Sequence, residues 1–255
     1  MMKITFLGTG TSNGVPVLGC QCDVCASTDP HDKRLRCSAL VETETTRLLI
    51  DCGPDFRQQM MSQPFRKIDG LLVTHTHYDH VGGIDDVRPY CSFGFIDIYA
   101  EPRAIRSLKH NMPYCFAKHR YPGVPGLNVV PVAPHKPFTV GDITVVPVRV
   151  MHGTLPIIGF RIGPLAYITD MKTIDMASEG PYLQGIDTLV VNALRFDREH
   201  HSHQLVDDAI AFANALKPRR TLLIHSCHNI GRHNDVNDRL PDGVTMAYDG
   251  QVITL

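Results

Sequence analysis

The fold is decided by the stretch Leu71-Leu72-Val73-Thr74-His75-Thr76-His77-Tyr78-Asp79-His80, which is followed by Val81-Gly82-Gly83-Ile84. Its apolar start predicts a buried strand ending at Thr74, and the glycine pair predicts a turn into a helix. The histidines and the aspartate that follow Thr74 are potential ligands for zinc, manganese or iron. Catalytic zinc usually takes three protein ligands plus water. Four ligands in one loop therefore predict two neighbouring ions, rather than surface histidines that cluster by chance.

The order of these ligands resembles a known family. His75-Thr76-His77-Tyr78-Asp79-His80 matches the H-x-H-x-D-H signature of the metallo-β-lactamase superfamily of metal-dependent hydrolases. The resemblance implies an α/β fold, namely an αβ/βα four-layer sandwich. It also implies a dinuclear site at the strand ends, completed by histidine and aspartate residues further along the chain.

Length and charge narrow the class of protein. At 255 residues and 28.4 kDa the chain can bury a large core, and we expect one domain over residues 1–255. A formal net charge of -1 and a pI near 6.9 give no electrostatic case for binding nucleic acid or an anionic membrane. Apolar runs stay well below the ~18 residues of a membrane span. The chain enters the strand-like Ile4-Thr5-Phe6-Leu7 without a signal-peptide core, so a cytoplasmic location is expected.

A glycine-rich loop follows this first strand, which is predicted over residues 3–7. The loop reads Gly8-Thr9-Gly10-Thr11-Ser12-Asn13-Gly14. It could cradle a phosphate through its backbone N–H groups or form a tight turn beside the active site. It has neither the Rossmann spacing nor the lysine of a P-loop, and the sequence leaves both alternatives open.

A cysteine cluster, Cys20-Gln21-Cys22-Asp23-Val24-Cys25, lies in the next polar loop. Three thiolates at this spacing can surround one zinc ion. Cys37 or a distant histidine could supply a fourth ligand. The alternative is a set of cysteines without a metal, since cysteines in a cytoplasmic chain need not form disulfides.

Further patterns predict the remaining elements. Helices are predicted over residues 55–62, 102–110 and 205–216. Apolar and β-branched runs predict strands over residues 38–42, 46–50, 96–100, 129–132, 143–150, 159–162, 165–170, 186–192 and from residue 221.

Polar residues stand at several of these strand ends. Asp51 could accept the outer ring N–H of a ligand histidine, or it could be an ordinary turn residue. His152 could be a structural histidine and Asp170 a helix N-cap. The superfamily resemblance instead implies that His75, His77 and His152 bind one ion, that Asp79, His80 and His225 bind the other, and that Asp170 lies between the two ions.

The cysteine cluster narrows the resemblance further. A C-x-C-x2-C loop, with a histidine three residues past the last active-site ligand, resembles the phosphoribosyl 1,2-cyclic phosphate phosphodiesterase family of phosphonate breakdown. This implies a structural zinc held by Cys20, Cys22, Cys25 and His228, in a loop at about residues 19–37, and it implies that His203 lies near the substrate phosphate. The resemblance does not explain His200 and His201. It also leaves open whether residues 112–128 form a lid, a homodimer contact or a loop.

The expected function is hydrolysis of a small cyclic ribose phosphodiester by hydroxide generated at two metal ions, with Asp79 and His203 as catalytic residues. Ligands without sulfur favour manganese as well as zinc in this site. The alternatives are a tRNA 3′-processing endonuclease, a thioester hydrolase or a lactonase of the same superfamily. From another class, the chain could be a non-catalytic binding protein stabilised by metal. An RNA enzyme would need a basic surface, which the charge balance does not favour.

Overall fold

The computed structural model describes residues 1–119 and 121–255 of the chain. Its strands are β1 (Lys3–Gly8), β2 (Ser38–Glu42), β3 (Arg47–Ile50), β4 (Gly70–Leu72), β5 (Ile96–Ala100), β6 (Leu127–Pro131), β7 (Phe138–Val140), β8 (Ile143–His152), β9 (Leu155–Ile162), β10 (Leu165–Ile168), β11 (Thr188–Asn192), β12 (Arg220–Ile224), β13 (Val244–Met246) and β14 (Val252–Thr254).

The helices are α1 (Asp23–Ala26), α2 (Phe56–Met60), α3 (Tyr78–Val81), α4 (Pro102–Asn111), α5 (Pro113–Phe116), α6 (Met176–Leu183), α7 (Val206–Leu216) and α8 (His233–Asn237). Short 3-10 helices cover Pro30–Asp32, Ile84–Phe93 and His228–Ile230. No helix in the described part of the chain is long and apolar enough to cross a bilayer.

Two seven-stranded sheets form the centre of the molecule. Their orders are β14-β1-β2-β3-β4-β5-β6 and β13-β12-β11-β10-β9-β8-β7. Side chains such as Phe6, Ile50, Phe160 and Tyr167 fill the space between the sheets. The outer faces are covered by helices, through clusters that include Phe56 on one side and Phe212 on the other. The predicted αβ/βα four-layer sandwich of the metallo-β-lactamase type is confirmed.

The topology gathers strand ends at one edge. β3, β4, β5 and β6 run parallel to one another, as do β10, β11, β12 and β13, whereas the pairs at the other side of each sheet are antiparallel. Parallel strands end at the same edge of a sheet, where polar groups are freed from the ladder. The segments that follow β3, β4, β10, β11 and β12 carry the residues of the candidate site, together with His152 at the end of β8.

The central ligand run departs from its predicted form. β4 ends at Leu72, two residues before Thr74, and α3 begins at Tyr78, so that Asp79 and His80 lie in a helix. The predicted turn at the glycine pair leads into the 3-10 helix Ile84–Phe93, whereas α3, which precedes the glycines, was not predicted. The glycines also allow a close approach: a Cβ on Gly83 would lie 2.0 Å from the carbonyl oxygen of Gly53.

The sequence missed several elements and left one segment undecided. The missed strands and α-helices are β7, β13, β14, α1, α3, α6 and α8. Within residues 112–128, the structure places α5 and the first residues of β6, and residue 120 lies outside the described residues. The lid, dimer-contact and loop alternatives for this segment stay predictions.

Candidate metal centre

Three of the strand ends turn sharply into the site. Asp51, Asp170 and His225 follow β3, β10 and β12 closely and have φ angles of 56°, 57° and 55°. Residues other than glycine seldom adopt this left-handed backbone conformation. It costs about 1–3 kcal/mol and persists only where the surrounding structure enforces it. Three of the six such residues in the described chain therefore lie at the strand ends of the candidate site.

The structure brings the predicted ligands together in two groups. His75, His77 and His152 offer ligand atoms within 4.8 Å of one another, and a second group meets the same limit with Asp79, His80, Asp170 and His225. Every member of the second group is buried.

Asp170, a member of the second group, also approaches the first. Its Oδ2 is 3.2 Å from Nε2 of His225 and 3.9 Å from Nε2 of His75, and its Oδ1 is 3.2 Å from Nε2 of His80. Oδ2 of Asp79 is 3.3 Å from Nε2 of His80 and 3.5 Å from Nε2 of His225. With metal–ligand bonds of about 2.0–2.2 Å, two ligands of one ion are about 3.3 Å apart.

A further observation, the unpartnered ring nitrogens, supports the fit of these ligands to two divalent ions. Nε2 of His75, His80 and His225 is buried and has no hydrogen-bond partner among residues 1–119 and 121–255. Buried polar atoms are normally satisfied, and an exception at a cluster of imidazoles and carboxylates is typical of a metal site. His75, His77, His152, Asp79, His80, Asp170 and His225 would hold the two ions.

Three of the ligand histidines are oriented through Nδ1, which leaves Nε2 for a metal. Nδ1 of His80 lies 2.7 Å from Oδ2 of Asp51, the partner that the sequence suggested. Nδ1 of His152 donates to the carbonyl of Ser202 at 2.8 Å, and Nδ1 of His75 lies 3.0 Å from Oγ1 of Thr74. The sequence did not reveal Ser202 or Thr74, because a backbone carbonyl and a common hydroxyl carry no recognisable pattern.

The charges in the second group are strongly coupled. Burial would raise the pKa of Asp170, but His225 and His80 outweigh it and hold that pKa well below its usual range. The same balance, with His225 and His80 close to its carboxylate, lowers the pKa of Asp79. Burial would lower the pKa of His80, but Asp170 and Asp51 raise it well above its usual value. A metal at His80 would therefore have to displace a proton, which couples metal binding to proton release.

His203 lies at the junction of the two groups. Its ring centroid is 4.6 Å from that of His152 and 4.8 Å from that of His225. The side chain is 7% exposed, and its Nδ1 has no hydrogen-bond partner within the described residues. Burial, together with the neighbouring His225, lowers the pKa of His203 to about 2. The imidazole is held in the site without being committed to another protein group.

The cysteine group forms a separate site. Sγ of Cys20, Cys22 and Cys25 lies 3.4, 3.2 and 3.5 Å from Nδ1 of His228. These separations suit tetrahedral zinc, with Zn–S near 2.3 Å and Zn–N near 2.0 Å. The backbone N–H of Cys25 and the side chain of His228 lower the pKa of Cys22 to about 6, whereas burial raises that of Cys25 to about 11. Cys37, the other candidate for the fourth ligand, lies in the core between the sheets.

The glycine-rich loop forms a tight turn. Its N–H groups at Gly10, Thr11 and Gly14 donate to the carbonyls of Leu35, Ser226 and Thr11. These three N–H groups are committed to the protein and are not available to a phosphate.

Comparison with known proteins agrees with this fold. Residues 46–226 match the family model of the beta-lactamase superfamily domain. The chain therefore belongs to the metallo-β-lactamase superfamily. Along its whole length it is similar to a solved structure described as a new diphosphatase from the PhnP family, with 36% identity, a TM-score of 0.91, and coverage of 100% of this chain and 98% of the other. Taken with the buried ligand groups, these matches identify a metal-dependent hydrolase fold.

The chain is also similar to two other proteins, one by sequence and one by structure. The chain is 44% identical over 250 residues to a protein of Porphyromonas gingivalis (strain ATCC BAA-308 / W83) named octanoyltransferase, covering 98% of this chain and 51% of that protein. The chain thus spans about half of the length of that relative. The zinc-bound PqqB of Methylobacterium extorquens is 20% identical, with a TM-score of 0.82 over 99% of this chain and 100% of that one, which shows the shared fold alone.

Proposed function

We propose that the chain is a cytoplasmic, dinuclear phosphodiesterase that hydrolyses a small cyclic ribose phosphodiester. The observation that carries the proposal is His203, a buried imidazole beside both ligand groups with an unpartnered Nδ1. An anionic phosphate at this position would raise the pKa of His203 towards its ordinary value. The imidazole could then donate to a phosphoryl oxygen or protonate the departing alkoxide.

The other residues prepare this reaction. Asp79 remains ionised, because His225 and His80 keep its pKa low, and it therefore stays available as a carboxylate at neutral pH. Asp51 holds His80 in one orientation. When bound, two ions of zinc or manganese would activate water and neutralise charge on the phosphoryl oxygens. A third ion, a structural zinc, would be held by Cys20, Cys22, Cys25 and His228.

Two relatives suggest different substrates. The name diphosphatase, for a protein 36% identical to this chain, favours a diphosphate as the second candidate, since attack at phosphorus needs the same groups. The name octanoyltransferase makes an acyl ester worth testing, although this chain covers only 51% of that protein. Nucleic acid and membranes are not expected partners, given a net charge of -1.

The test is turnover by protein loaded with zinc or manganese. A ribose 1,2-cyclic phosphate would be compared with an aryl phosphodiester, a diphosphate diester, a thioester and a lactone. We expect preferred cleavage of the cyclic phosphate, and a loss of about 10²-fold or more in kcat for His203→Ala at unchanged metal content. The exposed His110→Ala is the control. Cleavage of only the thioester or lactone by the metal-loaded protein would refute the proposal.

A further inference from the structure

His200 lies outside both ligand groups, yet its ring contacts the site. The ring centroid of His200 is 5.0 Å from that of His203, with 32° between the planes. On its other side His200 packs against His201 at 4.4 Å. His203 in turn packs against the fully buried His225 at 4.8 Å. Four imidazoles thus run from a buried ligand to the exposed His201, and the two outer ones are the histidines that the family resemblance left unexplained.

Ser202 connects His200 to a ligand histidine. The backbone N–H of Ser202 donates to Nδ1 of His200 at 3.3 Å, and Oγ of Ser202 lies 3.2 Å from the same nitrogen. The carbonyl of Ser202 accepts the Nδ1–H of His152 at 2.8 Å. A peptide N–H can only donate, so Nδ1 of His200 must be the unprotonated ring nitrogen in this arrangement.

We propose that His200 is a positioning residue for His203, acting through the hydrogen bond that its Nδ1 accepts from Ser202. The inference rests on the proposed function, in which His203 acts on the phosphate. His203 follows Ser202 directly, and its own Nδ1 lacks a partner in the described chain that could fix the ring. The orientation of His203 therefore depends on the backbone at Ser202, which is fixed on one side by His152 and on the other by His200.

Substitutions of His200 separate the hydrogen bond from the ring packing. Asparagine keeps an acceptor oxygen close to the position of Nδ1 but lacks the ring. Phenylalanine keeps a ring of similar size but has no acceptor. If the hydrogen bond to Ser202 positions His203, then His200→Asn retains function, whereas His200→Phe and His200→Ala lose it to a similar extent.

The first measurement is steady-state hydrolysis of the cyclic phosphate by the zinc-loaded variants, with metal content determined for each. We expect His200→Ala and His200→Phe to lower kcat about tenfold with KM and metal content nearly unchanged, because a displaced group costs rate rather than affinity. His200→Asn should stay within about threefold of the wild type. His201→Ala is the matched control on the same loop, and its kcat should stay near that of the wild type.

The second measurement does not depend on turnover. Nitrogen-15 NMR of the imidazoles in the zinc-loaded protein should show one ordered state of His203 in the wild type and in His200→Asn, and broadened or doubled signals in His200→Ala and His200→Phe. If no phosphodiester is cleaved but this pattern holds, the proposed function fails and the positioning role stands. Unchanged kcat in His200→Ala, an Asn variant as impaired as the Ala variant, metal loss in His200→Ala, or identical spectra would overturn the positioning role.

Discussion

Asp51 and His80 are joined by a hydrogen bond of 2.7 Å between Oδ2 and Nδ1, and neither side chain is exposed to solvent. The same carboxylate oxygen accepts the hydroxyl of Thr74 at 2.8 Å, and that hydroxyl oxygen lies 3.0 Å from Nδ1 of His75. His75 and His80 belong to different ligand groups. One buried carboxylate therefore orients an imidazole in each group, which makes Asp51 the support shared by both metal positions.

Asp51→Asn should weaken metal binding in both groups. An asparagine keeps one acceptor oxygen but loses the charge that holds the proton of His80 on Nδ1. Loss of such a partner typically lowers metal affinity or activity about 10–100-fold. Competition with a chromophoric chelator measures the affinity, and Asp142→Asn, at an exposed carboxylate bonded to Thr43, is the control. Equal affinities in the wild type and Asp51→Asn would contradict the shared-support role.

Gly53→Ala should displace Asp79. A Cβ on Gly53 would lie 2.1 Å from the carbonyl oxygen of Asp79, so the backbone carrying this ligand must move. A ligand displaced by about 1 Å is expected to cost about 10²-fold in turnover, because the geometry at the reacting atoms is lost. Gly180→Ala is a suitable control, since its nearest neighbour, the end of the Met176 side chain, lies 3.4 Å away. Full metal content and normal turnover in Gly53→Ala would show that the loop adapts.

The strands and the ligands at their ends could be predicted from the sequence because each strand is an apolar run that stops at a polar residue. Asp51, Asp170 and His225 follow such runs directly, and the parallel order of the strands brings them to one edge. The pattern can be recognised because a strand that is buried in the sheet must be apolar along its length. The short helix α3 was not predicted, because two of its four residues are ligands and four residues are too few to show helical periodicity.

The residues that surround and orient the metal ligands could not be predicted from strand patterns. Ser202 acts through its backbone, and His200 and His201 stand in a loop where no periodicity distinguishes a packed ring from a solvated one. His203 was placed only through resemblance to a family. The fourth member of the cysteine group, His228, is remote in sequence from the cysteines. It lies beside them only because β12 packs next to the first loops, and spacing within the cysteine loop does not reveal this.

Cys25→Ser should remove the ion from the cysteine group without emptying the active site. Cys25 is buried and lies 3.5 Å from Nδ1 of His228, so its thiolate would complete a closed site. Closed sites of this kind contribute directly to folding energy. We expect one metal ion fewer per chain and a melting temperature lower by about 2–8 °C, since a loss of about 1–2 kcal/mol has this effect at this chain length.

Elemental analysis and calorimetry would measure these two effects. Cys91→Ser is the control, because Cys91 lies outside the cysteine group. Turnover per remaining active-site metal should be unchanged in Cys25→Ser. An unchanged metal count would refute the assignment of this group as a metal site.

The pKa of His233 leads to a prediction of how the free energy of unfolding depends on pH. Its Nδ1 lies 3.3 Å from Nη2 of the buried Arg34. Burial and then the charge of Arg34 lower the pKa of His233 to about 4, from an unfolded value near 6.5. Below pH 6.5 the unfolded chain therefore binds a proton at His233 that the folded chain does not take up until about pH 4. The contribution of His233 to stability is thus complete above pH 6.5 and is lost as the pH falls from 6.5 to 4.

His233→Asn should remove this slope while keeping an acceptor for Arg34. Between pH 7 and pH 5, the wild type should lose about 2 kcal/mol more unfolding free energy than the variant. Burial raises the pKa of the nearby Asp249 to about 6, which gives a slope of opposite sign in the same range. That slope is present in both proteins and cancels in the difference. Urea unfolding at the two pH values measures the effect, with the exposed His110→Gln as control. Parallel pH profiles for the wild type and His233→Asn would mean that folded His233 is protonated as readily as the unfolded residue, and that the charge of Arg34 does not act on it.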